Sequence, residues 1–174
     1  HPSLYSSHLS KKDRLFDYSG HFPIVEVDTS FYAIPSTKNV EKWIQDTPDQ
    51  FQFIVKAYQG ITGHLRDDNP YETENDMFEQ FCNCLEVFQQ ARKLALVLVQ
   101  FPPWFSFSTK NVEQILYIKR MLNGFPIAIE FRNNTWYSPN NQRETIDFLK
   151  KYGFIHTICD EPQTGVSSVP FVPE

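Results

Sequence analysis

Cysteine is scarce: Cys82, Cys84 and Cys159 are the only three in 174 residues, too few and too odd in number for a disulfide framework. Cys82 and Cys84 lie two apart in a stretch of helical spacing, where their side chains point in widely different directions. The three read as inert thiols of a reducing cytoplasm rather than as metal ligands. No apolar run approaches the roughly 18 residues that a membrane-spanning helix requires, and no signal peptide opens the chain. Positive charge is also short. Lys and Arg number 16 against 21 Asp and Glu, a net charge of -5, which argues against general nucleic-acid binding. No glycine-rich phosphate fingerprint follows any predicted strand, which disfavours a dinucleotide-binding sheet. Asn133-Asn134-Thr135 fits a glycosylation acceptor formally, but nothing else points to secretion. The chain opens on His1-Pro2 without an initiator methionine, so residues are expected to be missing at both ends.

What is present is enough apolar and aromatic material, 41% and 16% of residues, to build a core for one domain spanning 1–174. Strand-like and helix-like patterns alternate along it. Residues 10–13 read as a helix start, with Leu15, Phe16 and Tyr18 following and Gly20 as the stop. Residues 24–32 read as a strand with Ile24, Glu26, Asp28 and Ser30 on one face. Ser36 or Thr37 caps a helix carrying Val40, Trp43 and Ile44, which Pro48 ends. A second strand, 51–58, sets Gln52, Ile54 and Lys56 on one face. The polar loop 59–75 is long for a simple connection, which marks a functional excursion. A helix from Met77 to about Lys93 leads to an almost wholly apolar third strand, 94–101, and Ser108 or Thr109 opens the next helix, closed by Gly124.

The stretch 127–137, Ile-Ala-Ile-Glu-Phe-Arg-Asn-Asn-Thr-Trp-Tyr, opens as a fourth strand with Ala128, Glu130 and Arg132 on one face. A glutamate and an arginine two apart on one face can pair, and either alone is costly to bury. A final helix with Ile146, Leu149 and Tyr152 stops at Gly153, before a fifth strand, 154–160, with His156, Ile158 and Asp160 on one face.

Alternating strands and helices predict an α/β fold with a parallel sheet. Two architectures fit: an open doubly wound sheet, or part of a (β/α)8 TIM barrel of which about five β/α units are visible. Polar groups recur near strand C-terminal ends: Asp28, Lys56, Gln100, Glu130 with Arg132, and Asp160. Barrel enzymes draw their catalytic groups from that rim. Such a barrel needs about 250 residues, so three strands are expected to lie outside this sequence.

The ordered set Val25-Glu26-Val27-Asp28, Phe31-Tyr32, Pro35, Phe53 with Lys56, Thr62 with His64, Gln100-Phe101-Pro102-Pro103, Glu130-Phe131-Arg132, Trp136 and Asp160 resembles the YecE-like family, also called domain of unknown function 72. Asp28 stands where that family often has Asn, and Gly63 sits inside the Thr-His motif. The resemblance implies a TIM-barrel-like fold, with a first strand before His1 and last strands after Glu174, and it leaves the reaction open.

Glu130 reads as a proton-transfer group and Arg132 as an anion clamp, against the alternative of an internal ion pair fixing strand register. Lys56 is a counter-ion to carboxylates or, if desolvated, a base. His64 reads as a loop acid/base group, a role that rests on the resemblance, and Asp160 as a ligand-binding or relay group or a turn contact. Asp28 and Gln100 line the pocket, while Tyr32, Trp104 and Trp136 (with Phe31) offer faces for a sugar or base or else plug the rim. The reading is an enzyme acting on a small polar or anionic substrate by acid/base chemistry, with hydrolase, lyase and isomerase undistinguished. The alternatives are a non-catalytic metabolite- or nucleotide-binding module, and a metal-dependent hydrolase or isomerase using Asp28, Glu130, Asp160 and His64. No cofactor is predicted, no short-range metal-ligand spacing occurs, and neither membrane nor nucleic acid is an expected partner.

Overall fold

Each of the first four strand patterns is followed by a helix that returns the chain to the starting end of the sheet, so the strands run parallel. The computed structural model describes residues 14–66, 69–163 and 168–173. Helix α1 (Arg14–Ser19) precedes β1 (Ile24–Val27), α2 (Thr37–Gln45), β2 (Gln52–Lys56) and α3 (Glu74–Gln90). Then come β3 (Leu94–Gln100), α4 (Thr109–Met121), β4 (Ile127–Glu130), α5 (Gln142–Tyr152) and β5 (Ile155–His156). The helix start expected at 10–13 lies outside the described residues. The strands pair in the order β1-β2-β3-β4-β5, all parallel. That sequential order contains no reversal point of the kind that defines a doubly wound sheet.

Helix ends follow local chemistry. Ser36 and Ser108 side chains accept the backbone N–H of Asn39 and Asn111, and Thr73 with Asp76 closes a reciprocal capping box on α3. Gly153, at φ +68°, ends α5 in the left-handed region that a side chain disfavours. Two strands stop earlier than their patterns suggest. After Val27 the Ser30 hydroxyl donates to the carbonyls of Val27 and Lys56, both at 2.6 Å, and Asp28–Phe31 coils into a 3-10 turn. β5 pairs only over Ile155–His156, not over 154–160.

One sheet face is covered by helices. Val27, Phe53, Val55, Val97, Val99, Ile127 and Ile129 belong to the main core with Phe78, Phe81, Phe88, Ile115, Ile146 and Leu149. The opposite face carries Ile24, Glu26, Ile54, Lys56, Leu96, Leu98, Gln100, Ala128, Glu130 and Ile155 by strand alternation and register. Leu98 and Ala128 are buried there, yet stand outside the core cluster.

Beyond the strand ends, aromatic rings lock two loops together. Phe131 stacks on Trp136 at 3.9 Å, Phe101 on Phe105 at 4.0 Å, and the Trp136 indole N–H donates to the Phe105 carbonyl at 2.7 Å. The segments following β3 and β4 are thereby fixed side by side at the rim.

Candidate functional site

On the β4 side, register sets Glu130 opposite Gln100. The Gln100 amide donates to Glu130 Oε1 at 2.5 Å, and Arg132 pairs with the same oxygen. The Glu130–Arg132 pair expected from strand alternation therefore forms, with Glu130 only 5% exposed. Arg132 also binds Glu161 Oε2 through Nη1 at 3.1 Å, and Glu161 Oε1 accepts the Val169 backbone N–H at 3.0 Å. Two carboxylates thus hold one guanidinium in a fixed orientation. Beside them the Tyr137 hydroxyl lies 2.8 Å from His156 Nε2. Burial raises the Tyr137 pKa well above its usual value, and Cys159 and Glu130 add to that, so it is a neutral phenol. Burial, then Glu130, also raises the Cys159 pKa, which keeps the thiol protonated. Cys84 in α3 is pushed up to about 12 by burial, as an inert thiol would be.

On the β1 and β2 side, Lys56 Nζ binds Asp28 Oδ1 at 2.8 Å and lies 5.2 Å from the Phe31 ring centroid. Asp28 sits in the 3-10 turn instead of continuing β1. Glu26 connects the two sides. Loss of water around its carboxyl raises its pKa, Lys56 opposes that, and the negative charges of Asp28 and Glu130 reinforce it. Carboxylates from β1 and β4 are therefore close enough to repel across the uncovered face.

The loop after β2 brings in a histidine. A side chain at Gly60 would meet Met77 and the Tyr58 ring at under 3 Å, and Gly63 holds φ +76°, so both glycines are needed for the path the loop takes. That path puts the His64 N–H on the Gln59 carbonyl at 3.0 Å and His64 Nδ1 2.8 Å from the Thr62 hydroxyl. The imidazole packs edge-to-face with Phe31 at 5.0 Å and Trp104 at 5.8 Å. Burial, and secondarily Lys56, lower its pKa from 6.5, which favours neutral imidazole. A cavity of about 350 Å³ lies here, lined by Phe31, Gln59, His64, Leu65, Arg66 and Trp104.

The structure thus groups Glu130, Arg132 and Gln100, groups Lys56 with Asp28, and sets His64 against Trp104. One expectation needs correction, and two expected site residues stand apart from these groups. Trp136 is fully buried, with Phe131 and Phe105 stacked parallel to its ring, so it offers no free face to a sugar or base. Asp160 is exposed, four residues past the end of β5, and makes no hydrogen bond or ion pair among the described residues; its neighbour Glu161 supplies the carboxylate that meets Arg132. Tyr32 is 67% exposed and packs edge-on to Phe31, outside the cavity lining. Sequence reasoning also passed over Glu161 and Arg66. Arg66, two residues from His64 in the long loop, carried a readable signal; Glu161 meets Arg132 only through the fold.

Among the described residues no three His, Cys, Asp or Glu side chains are grouped as a metal cage requires, so Asp28, Glu130, Asp160 and His64 do not form one. No helix among them is long and apolar enough to cross a membrane.

The sequence is 48% identical over 172 residues to UPF0759 protein YunF of Bacillus subtilis, covering 99% of this chain and 61% of YunF. UPF0759 protein YecE of Escherichia coli is 22% identical over 139 residues, covering 76% of this chain and 46% of YecE. The crystal structure of a DUF72 family protein from Enterococcus faecalis superposes with a TM-score of 0.93 at 35% identity, covering 100% of this chain and 62% of that one. A DUF72 family protein from Thermotoga maritima gives 0.79 at 28% identity, covering 98% and 64%. The chain spans less than two thirds of the length of each of these relatives. A family model described as "Protein of unknown function DUF72" matches residues 1–174. The chain belongs to the DUF72 family.

Proposed function

We propose that this chain forms five β/α units of a (β/α)8 barrel, and that the barrel is an enzyme acting on a small polar anion at the C-terminal rim of its strands. The observation that carries this reading is the clustering of Glu26 and Asp28, Lys56, Gln100, and Glu130 with Arg132 at the C-terminal ends of four adjacent parallel strands. The sequential strand order supports the barrel. Glu130 is the proton-transfer group: Gln100 and Arg132 both bind its Oε1, which leaves Oε2 for the substrate. Arg132 and Lys56 carry the negative charge of the substrate, exchanging part of their present carboxylate contacts for it. His64, neutral and mounted on a loop, is the second acid/base group.

A thermal-shift screen of small carboxylates and phosphates, followed by turnover assays on each ligand that stabilises the protein, tests this. Glu130→Gln should keep ligand stabilisation and lose at least about 100-fold in turnover. Unchanged turnover removes Glu130 from acid/base work. Stabilising ligands that no condition converts into product would favour a binding module instead, a reading that the internal neutralisation of both cations by carboxylates also fits.

A further inference from the structure

The cavity beside His64 has a composition that the rim does not. Three of its walls are aromatic rings, Phe31, His64 and Trp104, and its charged wall is Arg66, with the guanidinium 5.6 Å from the Trp104 ring centroid. Trp104 is 56% exposed, although indole is among the costliest side chains to leave in water. It is not loose. Its own loop is pinned by the Asn133 side-chain amide, which donates to the Pro103 carbonyl at 2.6 Å, and by the Phe105 carbonyl that receives the Trp136 indole. A large aromatic face is therefore held open by a rigid frame, next to a cation. Phe31 is a shared wall: its ring meets His64 on the cavity side and lies 5.2 Å from Lys56 Nζ on the rim side. The volume, about 350 Å³, falls within the roughly 300–1,000 Å³ of small-molecule sites.

We infer that this cavity is a substrate subsite for a planar ring bearing an anionic group, the ring packing on Trp104 and the anion meeting Arg66. The inference rests on the reading of the rim as a small-anion site and names which anions it takes. A flat ring gains more than an aliphatic body against indole and imidazole edges, because offset and edge-to-face contacts match their quadrupoles. A phosphate or carboxylate on that ring gains from a guanidinium that has no carboxylate partner among the described residues. The neutral state of His64, favoured by burial, leaves its imidazole free to hydrogen-bond the ring substituent without adding charge. On the far side of Phe31 lies the Lys56–Asp28 pair, which sets the subsite beside the proposed chemistry.

The protein carries its own reporter. Of its three tryptophans, Trp136 is fully buried, Trp43 is half-buried and stacked on Phe88, and only Trp104 is exposed. Acrylamide quenching of tryptophan fluorescence therefore reads chiefly the Trp104 environment. Phenyl phosphate, benzoate, phenol and inorganic phosphate are the probes. Phenyl phosphate should protect Trp104 from acrylamide and bind about tenfold tighter than inorganic phosphate or phenol, with benzoate showing whether a carboxylate serves as well. Read by isothermal titration calorimetry, which does not depend on the indole, Trp104→Leu should remove the advantage of phenyl phosphate over inorganic phosphate, and Arg66→Gln its advantage over phenol. Both residues are exposed, so neither variant threatens the fold. Phenyl phosphate that binds no better than inorganic phosphate, or that leaves quenching unchanged at saturation, overturns the inference. Because Glu130→Gln turnover is read separately, an empty subsite with an active rim, and an occupied subsite with an inactive one, are distinct outcomes.

Discussion

The two faces of the sheet are built from the same five strands and differ in almost everything else. Toward the helices, Phe53, Val55, Val97, Val99 and Ile129 are at most 1% exposed and belong to the apolar core. On the other face Ile24 and Ile155 are 37% and 44% exposed, and Glu26, Lys56, Gln100 and Glu130 stand among aliphatic neighbours. The same chemistry is used differently on each side. Lys93, on the helix-covered side, is 4% exposed and donates to the carbonyls of Ile44 and Thr47 and to the Thr47 hydroxyl at 2.8–3.1 Å. It closes the C-terminal end of α2, and its hydrogen bonds leave nothing for a ligand. Lys56 and Arg132 are instead satisfied by side-chain carboxylates, which under the proposed function a substrate anion would replace. A cation bonded to main-chain carbonyls serves the fold; a cation bonded to exchangeable side chains is free to serve chemistry.

The largest test of this contrast sets adjacent residues against each other. Phe53→Ala empties a site packed by Phe51 and Phe88 and should cost about 3–5 kcal/mol in urea unfolding. Ile54→Ala, one residue on but facing the uncovered side, should cost less than about half of that. Equal losses would mean that the two faces contribute alike. Next, Lys93→Met should cost roughly 1.5–3 kcal/mol, because buried carbonyls lose a charged donor; a neutral outcome would remove its capping role. The smallest effect concerns Glu26. Its carboxyl pKa is raised above 4.5 in the fold, so the folded chain holds that proton more tightly than the unfolded one. The stability it lends is full below pH 4.5 and is lost as pH rises through the folded pKa. Glu26→Gln should therefore raise the melting temperature at pH 7 by about 1–2 °C, and the gain should vanish below pH 4.5.

Much of this was legible in the chain itself, because the relevant physics is local. The caps at Ser36 and Ser108 and the left-handed stop at Gly153 depend on a few neighbouring residues. The Glu130–Arg132 pair depends only on strand alternation, which Arg132 follows although β4 ends at Glu130. What failed was set by residues distant in sequence. Trp136 looked like a platform because its position just past a strand is visible, while its cover comes from Phe105, 31 positions earlier. The break after Val27 depends on Ser30 reaching the Lys56 carbonyl, 26 positions on. Asp160 and Glu161 are adjacent and chemically alike, and only the short reach of β5 decides which of them meets Arg132.

The order in which the strands lie has a consequence for how the molecule is made. Each of β2 to β5 pairs with the strand that precedes it in the chain, so none of these four must wait for a distant partner to emerge from the ribosome. Growth can add one βα layer at a time at the β5 border, while the outer edge of β1 has no strand partner among the described residues. A sheet stopped at any earlier strand would be a shorter version of this one, with a bare strand at each of its two borders.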